Sequence, residues 1–284
     1  NQNITYNISF RNIANILKEQ FCINLSETKV VQFRAIIAQE YLNVYESIKN
    51  YITSGNLIQI DESQIKIKGF DSKCYVWVFA TIDSVFYMFK PNRETDFLKY
   101  FLKDFKGVVI SDFYSGYDSL DCPQQKCLVH FMRDLNDDLL KNPFNEEFKF
   151  IINSFTLLLR KITQTINTYG LKKRHLNKHI KESESFLNTV ITKNFESEVA
   201  QFYCKKLKKY KEKLFTFLKY NNIPWNNNNA EAAIKPFANH KNHISGLHTE
   251  NGIKEYLILL SIQQTCKYRN KSFFEFLRSN STQF

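Results

Sequence analysis

The chain has 284 residues, with 39 Lys and Arg against 28 Asp and Glu, for a formal net charge of +11. An excess of that size argues for a polyanionic partner, while 43% hydrophobic and 15% aromatic residues exclude a disordered basic tail as its source. Seven Gly and five Pro are about a third of average usage, which argues against a turn-dense all-β architecture and for long helices.

Residues 1–55 read as helical. Ser9 is placed to cap an element over residues 10–17, and a second element over 28–52 follows the turn at Asn24-Leu25-Ser26. This pair is a candidate helix-turn-helix, although such pairs are more often packing units than DNA readers. Residues 57–60, 75–82 and 85–89 are short β-branched and aromatic runs separated by polar turns, and predict three strands. Helical spacing of Phe97, Leu98, Phe101, Leu102 and Phe105 follows, then a fourth strand over residues 108–111. From Pro123 a further helix is expected to run through Leu128, Phe131, Leu135 and Leu139.

Residues 141–220 hold 17 Lys and Arg but only 7 Asp and Glu, so nearly all of the net charge is local. Phe148, Ile151, Ile152, Phe155, Leu158, Leu159, Ile162 and Ile166 recur at helical spacing, and basic clusters follow at Lys172-Lys173-Arg174 and at Lys205, Lys206, Lys208 and Lys209. Two or three helices with a cationic face suited to nucleic-acid phosphates are expected. The expected organisation is an N-terminal helical segment (1–55), an α/β core (56–140 and 223–284) and a basic helical insertion (141–222).

Three acids stand at the ends of core elements. Asp61 ends an apolar run, with Glu62 facing the other way because side chains alternate along a strand. Asp112 ends the fourth strand, and Glu231 sits among small residues in Asn229-Ala230-Glu231-Ala232-Ala233, on an expected short helix. A carboxylate at such a place is costly to desolvate unless it is paired, protonated or bound to a cation. Three oxygen donors with no adjacent His suit hard divalent cations, magnesium or manganese, and two such ions suit in-line phosphoryl transfer. Cys127 and His130 invite a zinc reading, but a structural site needs about four ligands and only Cys122 lies nearby. His240, His243 and His248 read as a loop past the acid-bearing helix, within reach of a DNA end.

Several motifs together resemble the DDE transposases of the insertion-sequence-66 family. Ile60-Asp61-Glu62-Ser63 resembles the family's first acidic motif, and residues 109–117, Val-Ile-Ser-Asp-Phe-Tyr-Ser-Gly-Tyr, resemble the second. Cys127, His130 and Arg133 match a Cys-x-x-His-x-x-Arg helix, and residues 227–236 resemble the third motif. Ser245-Gly246, Asn251-Gly252 and residues 260–267 are similar to the closing region. The resemblance covers most of the chain. It implies a ribonuclease-H-like mixed sheet with flanking helices, and a metal-dependent enzyme that cuts DNA and transfers the strand. Asp61, Asp112 and Glu231 would be its catalytic residues and the ligands of two divalent cations, magnesium or manganese.

The partners so implied are transposon ends and target DNA, with a homo-oligomer on paired ends and no membrane. The expected location is cytoplasmic, at the nucleoid if the source is bacterial. Candidate DNA contacts are His130, Arg133, Lys172, Lys173, Arg174, Lys205, Lys206, Lys208, Lys209, Lys235 and Lys241. The chain departs from the family pattern at Asn226, where an Asp is usual, at Ala232, where a basic residue usually follows the glutamate, and at Lys235, which keeps the charge of a common Arg but loses its bidentate geometry. It begins at Asn1 without the family's zinc-binding N-terminal region, so a piece of a longer protein is expected. The rival expectations are a non-catalytic transposase-derived DNA-binding protein, whose usual mark is a broken triad, and a structure-specific nuclease of the same fold.

Overall fold

The computed structural model describes residues 1–243 and 248–284, so Ser245 and Gly246 of the closing region lie outside the described residues. The chain divides into two compact units, one made of residues 1–106 and 228–284, the other of residues 107–227.

The first unit opens with four helices, α1 (Gln2–Tyr6), α2 (Phe10–Phe21), α3 (Glu27–Glu40) and α4 (Leu42–Thr53). Ser9 Oγ accepts from the Asn12 N–H at 3.2 Å and Ser26 Oγ from the Lys29 N–H at 3.3 Å, so both caps satisfy first-turn donors. Ile13, Ala14 and Val30 form the core between α2 and α3. The single element expected over 28–52 is two helices, parted at Tyr41 with φ −93° and ψ 11°. The break lets α3 lie against α2 while α4 turns onto the sheet.

The strands of this unit are β1 (Leu57–Ile65), β2 (Cys74–Ala80) and β3 (Val85–Lys90), paired antiparallel. β1 runs past its expected end. Asp61 pairs with Val78 and the register continues to Ile65 opposite Cys74, so the acid lies in mid-strand. On one face Trp77 and Phe79 meet Phe97 and Phe101 of α5 (Asp96–Phe101), at ring centroid distances of 5.2 and 4.2 Å.

In the second unit β4 (Val108–Ser111) pairs in parallel with β5 (Gln124–Lys126). The helix expected from Pro123 therefore starts later, as α6 (Leu128–Lys141). β5 has no apolar pattern to reveal it, because its side chains meet hydrogen-bonding needs instead. Gln125 Nε2 donates to the Leu214 carbonyl at 2.8 Å, its Oε1 accepts from the Phe217 N–H at 3.0 Å, and Thr216 Oγ1 donates to the Gln124 carbonyl at 2.6 Å.

The basic stretch is helical, with four helices where two or three were expected. It contains α7 (Glu146–Tyr169), α8 (Lys173–Leu176), α9 (Ile180–Thr192) and α10 (Glu198–Tyr210). α7 buries Phe148, Ile151, Phe155, Leu158, Leu159 and Ile162 and stops at Gly170, whose φ of 70° is a conformation glycine adopts without strain.

The chain completes the first unit with α11 (Asn228–His243), α12 (Glu250–Tyr268) and α13 (Phe273–Arg278). α11 is longer than expected, so His240 lies within the helix. It is buried, with its ring stacked on Tyr256 at 3.7 Å and Nδ1 2.9 Å from Asn7 Oδ1. A buried, stacked ring is not placed to meet DNA. α12 packs on β3, α3 and α4. The fold is thus mixed α/β, with antiparallel and parallel strand pairs flanked by helices. No described helix is long and apolar enough to cross a membrane.

Candidate active site

Strand register decides what Asp61 faces. Asp61, Val78 and Tyr87 lie directly opposite one another on β1, β2 and β3, so their side chains share a face. The Tyr87 hydroxyl donates to the Ala233 carbonyl of α11, which makes this the face that α11 covers. Gln59, two residues before Asp61, points the same way, and its Oε1 accepts from the Ala230 N–H at 3.2 Å. Ala230 lies in the first turn of a helix, where backbone N–H groups lack helical partners. Gln59 supplies one from the strand.

Asn229, in the same turn, donates through Nδ2 to the Thr81 carbonyl at 2.6 Å and accepts from the Tyr268 hydroxyl at 2.8 Å. At the other end Lys241 Nζ donates to the Gln64 carbonyl at 3.1 Å. Eleven helical residues rise about 16 Å and five strand residues about 17 Å. α11 therefore runs alongside β1 in the same direction, with Glu231 near the Gln59 end. Asp61 and Glu231 are both half-buried, in one unit and on one side of its sheet. Glu62 faces the other side, where Arg93 Nε donates to its Oε1 at 2.9 Å.

Asp112 belongs to the second unit and follows the last residue of β4. Its Oδ1 accepts from the Tyr114 N–H at 2.9 Å, an Asx turn that orients the carboxylate. Behind this turn stands Lys126 on β5, opposite Ser111 in the register and 0% exposed. Its Nζ donates to the Asp112 carbonyl at 2.9 Å and to Ser111 Oγ at 3.2 Å, and lies 3.5 Å from Asp118 Oδ1. Burial pushes the Lys126 ammonium down to about 8, against the pull of Asp118 and Asp112. Burial works to raise Asp118, but its bond to Lys209 and the charges of Lys126 and Lys213 outweigh that and hold it below its ordinary value.

The candidate DNA contacts divide by what they already touch. Lys206 Nζ pairs with Asp134 at 2.6 Å and lies 4.5 Å above the Phe113 ring, while Lys209 pairs with Asp118 at 2.8 Å. Lys241 is engaged by Gln64, and Ser63 Oγ lies 3.4 Å away. Arg133, Lys172, Lys173, Arg174, Lys205, Lys208 and Lys235 are exposed, and His130 is half-buried on α6. Cys127 is buried at the start of α6, where its Sγ accepts from the Asn227 N–H at 3.2 Å.

Sequence reasoning missed Gln59, Lys126 and Asp118. A glutamine between two isoleucines that are both buried was a readable signal for Gln59. For the other two there was none, since Lys126 sits in a polar tripeptide and Asp118 in a serine-flanked turn.

Comparison with curated protein sequences gave no match. Residues 2–255 match the family model described as Transposase IS66 family, and with nearly the whole chain covered, the protein belongs to that family.

Proposed function

We propose that the chain cuts DNA at transposon ends and transfers the freed 3′ end to a target, with Asp61, Asp112 and Glu231 as its catalytic carboxylates. The observation that carries this reading is the pairing of β1 with α11. Gln59 and Tyr87 tie that helix to the strand on the side where Asp61 points, and Glu231 stands in the tied turn. Family membership gives the transposase role and DNA as substrate.

The donor set fits divalent cations: the three side chains offer only carboxylate oxygens, the chemistry preferred by magnesium and manganese. Bound there, two ions would supply charge neutralisation and an activated nucleophile for displacement at phosphorus. The protein's part is to hold the carboxylates oriented. Glu231 is fixed by the anchoring of Ala230 and Asn229, Asp61 by the strand register, and Asp112 by its Asx turn. Exposed cations of the second unit hold phosphates, and two copies bring paired ends together.

The test is an in vitro joining assay with paired DNA ends. Asp61→Ala, Asp112→Ala and Glu231→Ala should each abolish joining while sparing DNA binding, and chelation of divalent cations should do the same to the native chain. Magnesium-dependent joining retained by a variant overturns the assignment of that residue. Cleavage without joining by the native chain points to a nuclease, and binding with neither points to a non-catalytic DNA-binding protein.

A further inference from the structure

Lys126 is fully buried within the second unit, among the Tyr117 and Tyr210 rings at 5.4 and 5.5 Å from its ammonium. Removing an ammonium from water is costly, and the cost is offset only where hydrogen bonds and an opposite charge meet the group. An ammonium has three N–H donors. This one donates to the Asp112 carbonyl at 2.9 Å and to Ser111 Oγ at 3.2 Å, and forms an ion pair with Asp118 Oδ1 at 3.5 Å.

Asp118 in turn is held by Lys209 at 2.8 Å and lies 3.8 Å from Lys213, so its charge is compensated without Lys126. The charge balance of Asp118 therefore does not explain why a lysine is buried here. Beyond Asp118, Lys126 reaches the backbone of Asp112, whose carbonyl it holds at 2.9 Å together with Ser111 Oγ, which donates to the same oxygen at 3.1 Å. The next carbonyl, that of Phe113, lies 3.4 Å from the Tyr210 hydroxyl, so side chains from β5 and α10 grip the turn at two successive peptide groups.

We infer that Lys126 is a positioning residue for the second acid: by holding the Asp112 carbonyl from inside the unit, it fixes the peptide whose side chain presents a carboxylate to a divalent cation. This rests on the reading of Asp112 as a metal ligand. The route is mechanical. The Lys126 bond sets the orientation of the 112–113 peptide, the Tyr210 hydroxyl that of the 113–114 peptide whose N–H the Asp112 carboxylate accepts, and together they hold the carboxylate before any ion arrives. Groups that orient a metal-binding carboxylate from behind typically change metal affinity by about 10- to 100-fold when removed.

The experiment is manganese binding to the full chain without DNA, followed by electron paramagnetic resonance, with Asp112→Ala, Lys126→Met and Lys126→Gln. The expected result is loss of binding in Asp112→Ala and a dissociation constant raised about tenfold or more in Lys126→Met. Lys126→Gln, which keeps a neutral donor toward the Asp112 carbonyl, should be intermediate. A role in stability alone would move the unfolding midpoint and leave the affinity of the folded protein unchanged. Native affinity in both Lys126 variants, with Asp112→Ala defective, overturns the inference and leaves the triad reading standing. Native affinity in Asp112→Ala overturns both. Should Lys126→Met fail to fold, Lys126→Gln decides by the same comparison.

Discussion

Gln59 lies between two isoleucines with 2% of its surface exposed, a place where an amide is tolerated only if its hydrogen bonds are made. Its Oε1 takes the Ala230 N–H, so it caps a helix from a neighbouring strand and couples β1 to the turn that carries Glu231. Gln59→Leu keeps the volume and deletes the acceptor. The buried N–H left behind should cost about 1–3 kcal/mol, read as a lower urea midpoint with unchanged slope. Because Ala230 precedes Glu231, joining activity should fall in the same variant below denaturing conditions; an unchanged midpoint would show that the bond is dispensable. The two acids on this face were legible in the sequence, because carboxylates beside apolar runs stand out against a strong pattern. Lys126 was not: it is a polar residue in a polar tripeptide, and only the folded register puts it behind Asp112.

At the scale of elements, β3 shows how an exposed sheet edge is closed. Its outward Val85 and Tyr87 N–H groups donate to Thr265 Oγ1 at 3.1 Å and Ser261 Oγ at 3.0 Å, both on α12. Unpaired strand edges invite association with other chains, and covering them with a helix is one way to prevent it. Thr265→Val retains the shape but not the acceptor, and should cost about 1–3 kcal/mol, measured by chemical denaturation.

The same hairpin is clasped at its turn. Asp83 accepts from the Tyr51 hydroxyl at 2.8 Å and from Thr81 Oγ1 at 2.9 Å, and Arg269 stands 3.6 Å away. Burial acts to raise Asp83, but these partners prevail and hold it below its ordinary value. A carboxyl depressed in the folded state adds stability above its unfolded value near 4, lost as pH falls through the folded value. Asp83→Asn should therefore lower the melting temperature at pH 7 and narrow its gap from the native protein as the pH drops below 4. A gap independent of pH would sink this account. The three strands of this hairpin and its neighbour were readable from β-branched runs, as was α7 from its apolar spacing. β5 and the break at Tyr41 were not, because long-range hydrogen bonds and divergent packing partners, rather than local pattern, decide them.

For the whole molecule the question is what the +11 charge does. Concentrated over residues 141–220, it reads from sequence as one cationic face, but the structure separates two uses of it. Lys206 and Lys209 are paired within the second unit, with Asp134 and Asp118, although Lys209 keeps an exposed side chain, whereas Lys172, Lys173, Arg174, Lys205 and Lys208 are exposed and lie outside those two pairs. Cations that meet phosphates release counterions, so each contributes about 0.9 to the slope of log affinity against log salt concentration. Replacing Lys172, Lys173 and Arg174 together by Ala should lower that slope by up to about three, with little change in the unfolding midpoint, since exposed side chains contribute little stability. Lys206→Ala should do the opposite. It leaves Asp134 and the Phe113, Phe131 and Tyr203 rings without their cation, so the unfolding midpoint should fall while the salt slope stays near the native value. Titrating a labelled duplex at several salt concentrations, with denaturation of the same samples, measures both. Equal slopes in the triple variant and the native chain would remove that cluster from the DNA-binding surface and shift the phosphate contacts to the other exposed cations, Lys205 and Lys208 first.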